Sequence, residues 1–360
     1  MGGNLHYHDP VLNPFRLLFR RKAPAPLGAS RGPGSITLPV PVEVPSPDPF
    51  DETWGILSGT VAPRQVDWSQ EEQNLVDLVA PLVMDHFSKN HPDLASFPAL
   101  AVQIIDLLNE PDVDMARLLK AISPDPAISI NVLRVANSVL YNRGTDVTEM
   151  RMAVMRIGLR GVGEIAAGVA GRSLFDLALR VEYETFRERF NTMFLDTMAV
   201  AFGASQFAFE QHVGRPDRAF LAGMFHDMGK SLALRSLASL IIEGKVPSGL
   251  PPSVVEAVLE RVHVDIGCKV HELWGLPSHL KDICQRHHDA EVPGDAESME
   301  IHLLRMVSGI HRLAKDPLDS GRLEETRQSM EAMRLARRGT SLLHREMGQH
   351  IERVKVLFPG

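Results

Sequence analysis

A histidine and an aspartate stand side by side at His226-Asp227, inside the stretch Gly223-Met224-Phe225-His226-Asp227-Met228-Gly229-Lys230. An imidazole nitrogen and a carboxylate oxygen presented together can hold one divalent cation. A cation so held can acidify a bound water for attack on a phosphate ester. Gly229, two residues on, lets the backbone turn without a Cβ clash. The dipeptide carries little weight alone, but nine of the fifteen histidines fall between His212 and His311. Val262-His263-Val264-Asp265-Ile266-Gly267 follows downstream, and Arg286-His287-His288-Asp289 comes after Trp274-Gly275-Leu276-Pro277. Each of these has a plainer reading too. His263 lies in an apolar stripe and suits a hydrogen-bonded core histidine. On a regular helix, one of His287 and His288 must point off the face the other shares, and both together suit a helix end. His226 and Asp227 could instead hold neighbouring helices together through buried hydrogen bonds.

The elements that must position these residues read as helices. Leu75, Leu78/Val79, Leu82/Val83 and Phe87 keep one apolar stripe at spacings of three and four. Leu100, Ile104 and Leu107/Leu108 repeat it up to Glu110-Pro111, and Met115, Leu118/Leu119 and Ile122 make a short helix. Ser123-Pro124-Asp125-Pro126 breaks that helix and supplies the cap and first turn of the next, with Asp125 supporting its start. Asn137 and Ser138 close it by bonding backbone groups. Further helices are expected near 188–211 and 252–273, the second stopping at Trp274-Gly275-Leu276-Pro277. No period-two run follows residue 66, so the fold class is all-α. The last 40 residues form a closing helix or helical pair whose charges make a solvated face.

The first 65 residues differ: eleven of the 25 prolines and a Gly28–Gly34 stretch lie there. Proline fixes φ and removes a donor, so residues 1–65 read as a mostly disordered arm. The island Phe15–Lys22 could dock on a partner or a membrane surface, with a solvated tail as the plainer reading. Apolar residues make up 44% and charged residues 23%, as in a soluble globular protein. No apolar run reaches the ~18–20 residues needed to span a bilayer, and MGGNLHYHDP lacks a secretory layout. Cys268 and Cys284 sit in no CxxC, which points away from a disulfide framework and toward a reducing cytoplasm. A net charge of −7 speaks against a DNA-binding surface.

Several ordered motifs over residues 70–310 resemble the HDOD family, an output-domain relative of the HD and HD-GYP phosphohydrolases. They are Phe97-Pro98-Ala99-Leu100, Ile122-Ser123-Pro124-Asp125-Pro126-Ala127, Leu133-Arg134-Val135-Ala136-Asn137-Ser138 and Ala153–Gly158, then Leu221–Lys230, His263-x-x-x-Gly267, Trp274–Pro277 and His287-His288. The resemblance implies an HD-type multi-helix bundle in two packed helical halves, 66–180 and 181–315, with a helical extension at 316–360. It also shows departures from active HD proteins. Asp196, in Asp196-Thr197-Met198-Ala199-Val200-Ala201, stands where their first His would be, and Ser308-Gly309 stands where a late aspartate would be. The Gly-Tyr-Pro signature is absent.

The metal-ligating set, working or vestigial, is therefore Asp196, His226, Asp227, His263, His287 and His288, for Mn, Fe or Mg if any ion is held. Arg134 and Asn137 face a candidate ligand groove between the halves. The expected function is a non-catalytic cytoplasmic signalling module that acts through protein partners, with a homodimer compatible with it. The alternatives are a metal-dependent phosphohydrolase and a sensor that binds a nucleotide or cyclic dinucleotide without cleaving it.

Overall fold

The computed structural model describes residues 49–64, 68–90, 103–104, 106–107, 110, 114–138, 141, 144–172, 186–317, 319 and 321–358. Among them all regular structure is helical. The Phe97–Leu100 motif, the Phe15–Lys22 island and residues 1–48 of the expected arm lie outside the described residues.

Within the stretch read as disordered, a helix α1 spans Pro49–Ser58. Phe50, Ile56 and Leu57 are buried, and Gly59 ends the helix at φ 76°, a conformation that costs glycine little. A proline at the first helical position is compatible with helix, so the proline count of this region misleads here. Helix α2 (Gln70–Asn90) opens on a reciprocal capping box in which Ser69 and Glu72 each accept the other's backbone N–H at 3.1 Å.

Four helices follow: α3 (Met115–Ile122), α4 (Pro126–Asn137), α5 (Met150–Ile157) and α6 (Leu159–Gly171). Asp125 caps α4 by accepting the Ile128 N–H at 3.0 Å, as the Ser-Pro-Asp-Pro reading requires. The later half is α7 (Arg187–Gln211), α8 (Pro216–Phe225), α9 (Met228–Ile242), α10 (Pro252–Leu273), α11 (Ser278–Arg286) and α12 (Met299–Lys315). A helical pair, α13 (Leu323–Ala332) and α14 (Arg337–Leu357), comes last.

Helix α7 is the axis of the later half, with α8, α12 and α14 packed along it, while α9 and α10 pack on each other. Although early in the chain, α2 lies across α9 and α10. α6 joins the α3–α5 group to α8, and one continuous apolar core links all of these helices. α1 is clipped to the final pair: the Arg327 guanidinium donates to the carbonyls of Leu57 (3.0 Å) and Ile56 (2.5 Å), and Thr53 bonds His344 at 3.1 Å. The last helices therefore also bury polar groups, including Thr326, Ser329, His344 and His350.

One buried acid sets a measurable pH response. Glu164 on α6 is fully buried, with one oxygen accepting from Ser205 Oγ at 2.7 Å and the other unpartnered. Burial pushes its carboxyl up to about 7, against the partial opposition of Arg160 and Ser205. The folded protein thus holds this proton more tightly than the unfolded chain. The associated stability is complete below the ordinary glutamate range and is lost as pH rises toward 7. Each tenfold in proton affinity is about 1.4 kcal/mol, so about 3 kcal/mol is at stake. Glu164→Gln, which keeps the shape and the acceptor for Ser205, should flatten that loss. Urea unfolding at pH 5 and pH 8 should show the variant the more stable protein at pH 8 only.

Candidate metal centre

Three short segments meet around Asp227. His226 is the last residue before the α8–α9 break and Asp227 is the cap of α9, so their side chains leave the backbone at the junction of two helices. His263 comes from the middle of α10. His287 closes α11 and His288 sits in the turn beyond it. The elements approach closely because of Gly229. A Cβ built there would stand 1.9 Å from the His263 carbonyl oxygen and 2.9 Å from the Gly267 nitrogen. The glycine is thus required for contact between α9 and α10, whereas the sequence suggested only a turn.

Asp227 Oδ1, His263 Nε2, His287 Nε2 and His288 Nε2 converge, and one such atom from each residue lies within 4.8 Å of the others. Asp227 Oδ1 is 3.3 Å from His263 Nε2 and 3.4 Å from His287 Nε2. All four atoms are buried without a hydrogen-bond partner. The opposite ring nitrogens are all engaged. His263 Nδ1 donates to the Glu260 carbonyl at 2.9 Å, His287 Nδ1 to the Cys284 carbonyl at 2.7 Å, and His288 Nδ1 to Glu325 Oε2 at 2.9 Å. A carbonyl can only accept, so the proton of each neutral ring sits on Nδ1 and Nε2 presents a lone pair. Burial pulls the His263 imidazole down to about 3 and that of His288 to about 4, so both are neutral at pH 7. The Nε2 lone pairs of His263 and His288 therefore face a buried carboxylate oxygen, with His287 Nε2 turned toward it as well. Such an arrangement is costly unless a cation sits in it. Imidazole Nε2 with Nδ1 held by an acceptor is the form in which histidine ligates metal. Three imidazoles and one carboxylate suit Zn, Fe or Mn and disfavour Mg.

His287 and His288 both turn toward the site, as the helix-end reading allows, because α11 stops at Arg286. Their rings lie 3.8 Å apart, with His287 the cap of α11 and His288 in the turn beyond it. His226 stands beside the set. Its Nδ1 donates to the Gly223 carbonyl at 2.9 Å and its Nε2 is 3.6 Å from Asp227 Oδ2. Burial pulls it down to about 4. Lys230 takes that same Oδ2 at 2.8 Å and Glu260 Oε1 at 2.8 Å. Burial alone would raise the Asp227 carboxyl, but Lys230 and His226 outweigh it and hold it well below the usual range.

Asp196 does not join the four. It bonds His311 Nε2 at 3.0 Å and Lys315 Nζ at 2.6 Å, which together outweigh burial and keep its carboxyl low. It lines a cavity of about 740 Å³ in front of His226, Asp227 and Lys230. The imidazoles of His263, His287 and His288 lie behind Asp227 and do not line that cavity. Each cation on its wall has an acid: Arg189 pairs with Glu256, Arg312 with Asp319 and Lys315 with Asp196.

Arg134 and Asn137 are taken up by their own chain. Asn137 exchanges two hydrogen bonds with the Val147 backbone, at 2.8 and 2.7 Å, and Arg134 donates to the Leu357 carbonyl at 3.0 Å. Neither lines the cavity. Glu260, Glu325 and Arg322 are site residues that the sequence reading did not single out. For Glu260 there was one signal, its position three residues before His263 on the same helix.

The HDOD domain family matches residues 94–290, more than half of the chain, and that span contains all four converging donors. The chain belongs to the HDOD family. A crystal structure of an HDOD domain protein from Geobacter sulfurreducens superposes with a TM-score of 0.57 at 22% identity, over 79% of this chain and 100% of that one. A Shewanella amazonensis protein, named for the metal-dependent phosphohydrolases, gives a TM-score of 0.53 at 20% identity, over 79% and 100%. Both likenesses are of fold. An uncharacterized protein of Treponema pallidum (strain Nichols) is 20% identical over 237 residues, 65% of this HDOD chain, which spans only 43% of that protein. Among the described residues no helix is long and apolar enough to cross a membrane.

The close approach at Gly229 gives a direct test. Gly229→Ala forces a methyl into the His263 backbone, where no side chain can give way. It should cost about 3 kcal/mol or more, at the upper end of overpacking effects. Chemical unfolding would measure the loss, whereas Gly244→Ala, at an open turn with nothing nearby, should lose only the strain of its φ of 70°.

Proposed function

We propose that this protein is a non-catalytic HDOD module of bacterial signal transduction. It works in the cytoplasm through protein–protein contacts, and its HD half is organised around one buried divalent ion. The observation that carries this reading is the separation of two regions by Asp227. Behind it, four orphaned donor atoms converge. In front of it, the cavity that a substrate would enter has its charges already paired, with Asp196 bound to His311 and Lys315.

Asp227, His263, His287 and His288 would hold the ion. Bound there, it supplies a strong positive charge that joins α9, α10 and the end of α11, as structural ions with four protein donors do. Lys230 fixes the second oxygen of Asp227, and Glu260 fixes Lys230. Each imidazole is oriented by the acceptor on its Nδ1. A surface built from these helices would then be rigid enough to present to a partner.

A second reading has one observation in its favour. A cavity of about 740 Å³ is the size of a small-molecule site, so it could take a nucleotide without cleaving it. Its paired cations weigh against an anionic ligand, which would have to displace a carboxylate from each.

Protein purified without chelator should carry about one Zn, Fe or Mn per chain and show no phosphodiester hydrolysis above blank, and removal of the ion should lower Tm. Asp227→Ala should lose the ion. Turnover that disappears in Asp227→Ala would make the protein an enzyme instead. A thermal-shift series with cyclic dinucleotides separates the second reading: a concentration-dependent rise in Tm supports it and a flat response removes it.

A further inference from the structure

Helix α13 lies beyond the HDOD match at residues 94–290, yet it reaches the centre. Glu325, in its first turn, receives the Nδ1–H of His288 at 2.9 Å. Arg322, immediately before the helix, donates to Glu325 Oε1 at 3.1 Å and to Glu260 Oε2 at 2.6 Å. Glu260 in turn takes Lys230, and Lys230 takes Asp227. The contacts form a chain that alternates in charge from Asp227 through Lys230, Glu260 and Arg322 to Glu325 and closes on the His288 imidazole. It begins and ends on two of the four converging donors.

The seat of α13 explains a residue that otherwise looks like simple loss. Gly309 is one of the two positions where an active HD protein would carry its late aspartate. A Cβ built at Gly309 would stand 1.8 Å from Thr326 Oγ1 and 2.8 Å from Thr326 Cβ. Thr326 is buried and fixed by its own bond to the Arg322 carbonyl at 2.8 Å. Any side chain at position 309 therefore competes with α13 for the same space. One turn further along α13, Ser329 bonds His302 Nδ1 at 3.2 Å and holds the helix on α12.

We propose that α13 is an integral part of the metal centre: Glu325 is the positioning residue for His288, and ion occupancy and the seating of α13 on Gly309 are one linked equilibrium. The proposal rests on the reading of Asp227, His263, His287 and His288 as metal ligands. A histidine whose Nδ1 proton is held by a carboxylate is both oriented and made more basic, and loss of such a partner lowers metal affinity ~10–100-fold. By reciprocity, an ion that binds better when α13 is seated must stabilise the seated helix by the same factor. Since α13 also carries Arg327, which caps α1, occupancy of a buried site is transmitted to a surface far along the chain from it.

The test uses the full chain, freed of metal and titrated with Co²⁺, whose absorption reports the ligand field, and separately with Zn²⁺. Glu325→Ala should raise the Co²⁺ Kd ~10–100-fold and alter the absorption bands, and Glu325→Asp should recover part of the affinity. In the wild type, Zn²⁺ should slow amide exchange across residues 323–332, and Glu325→Ala should lose that protection while α10 keeps its own. Gly309→Asp should unseat α13 and weaken Co²⁺ binding as well; should it fail to fold, the Glu325 pair still decides. A wild type that takes up neither ion overturns the metal centre itself. A wild type that binds while Glu325→Ala binds equally well, with exchange over 323–332 indifferent to Zn²⁺, overturns only the role of α13.

Discussion

The carboxylate of Asp227 divides its two oxygens between different partners, and the later half of the molecule is arranged around that division. Oδ2 has the Lys230 ammonium at 2.8 Å. Oδ1 faces Nε2 of His263 and of His287 at 3.3 and 3.4 Å. A buried anion surrounded by acceptors is unfavourable by several kcal/mol, and rotating the carboxylate does not relieve it, because Lys230 is itself fixed by Glu260. A cation at Oδ1 turns the same geometry from repulsion into attraction. Packing alone gives no account of why three imidazoles should all turn the same nitrogen toward one oxygen.

Two kinds of interaction make this possible. Close helix approach sets the distances: α9 and α10 meet at Gly229 with no room for a methyl group, and α12 and α13 meet at Gly309 in the same way. Polar contacts then set the orientations, since each ring is turned by what its Nδ1 donates to. Buried ion networks add little net stability, because desolvation offsets most of their attraction. Their effect here is to select one arrangement of side chains inside a bundle whose apolar core would tolerate several.

How much of this is legible in the sequence differs by element. α10 is bounded in the sequence by Pro251-Pro252 and by Trp274-Gly275, and the structure ends it at Leu273. The α4 cap at Asp125 is equally legible, because capping is a local matter. The convergence of His287 and His288 is not, because the 100° rule applies only within a helix and these residues lie at and beyond its end. α1 was hidden by the prolines that precede it, and it is held by partners almost three hundred residues away, such as His344. Glu325 was hidden by composition: in a charged, amphipathic segment nothing local separates an acid that faces solvent from one that faces a buried imidazole.

The departures of this chain from an active HD protein also become different in kind once placed in space. Asp196 substitutes a charge, and α12 answers it with His311 and Lys315. At Ser308-Gly309, where the resemblance places a late aspartate, Ser308 lines the cavity and Gly309 leaves its space to Thr326 of α13. Asp196 on α7 lines the cavity and Gly309 on α12 faces α13, and each is met by groups of the chain itself. Behind Asp227, the His263, His287 and His288 imidazoles converge on its carboxylate while each Nδ1 donates to an acceptor of the chain. Asp227 stands between the two regions, with Oδ2 held by Lys230, which lines the cavity, and Oδ1 turned toward His263 and His287.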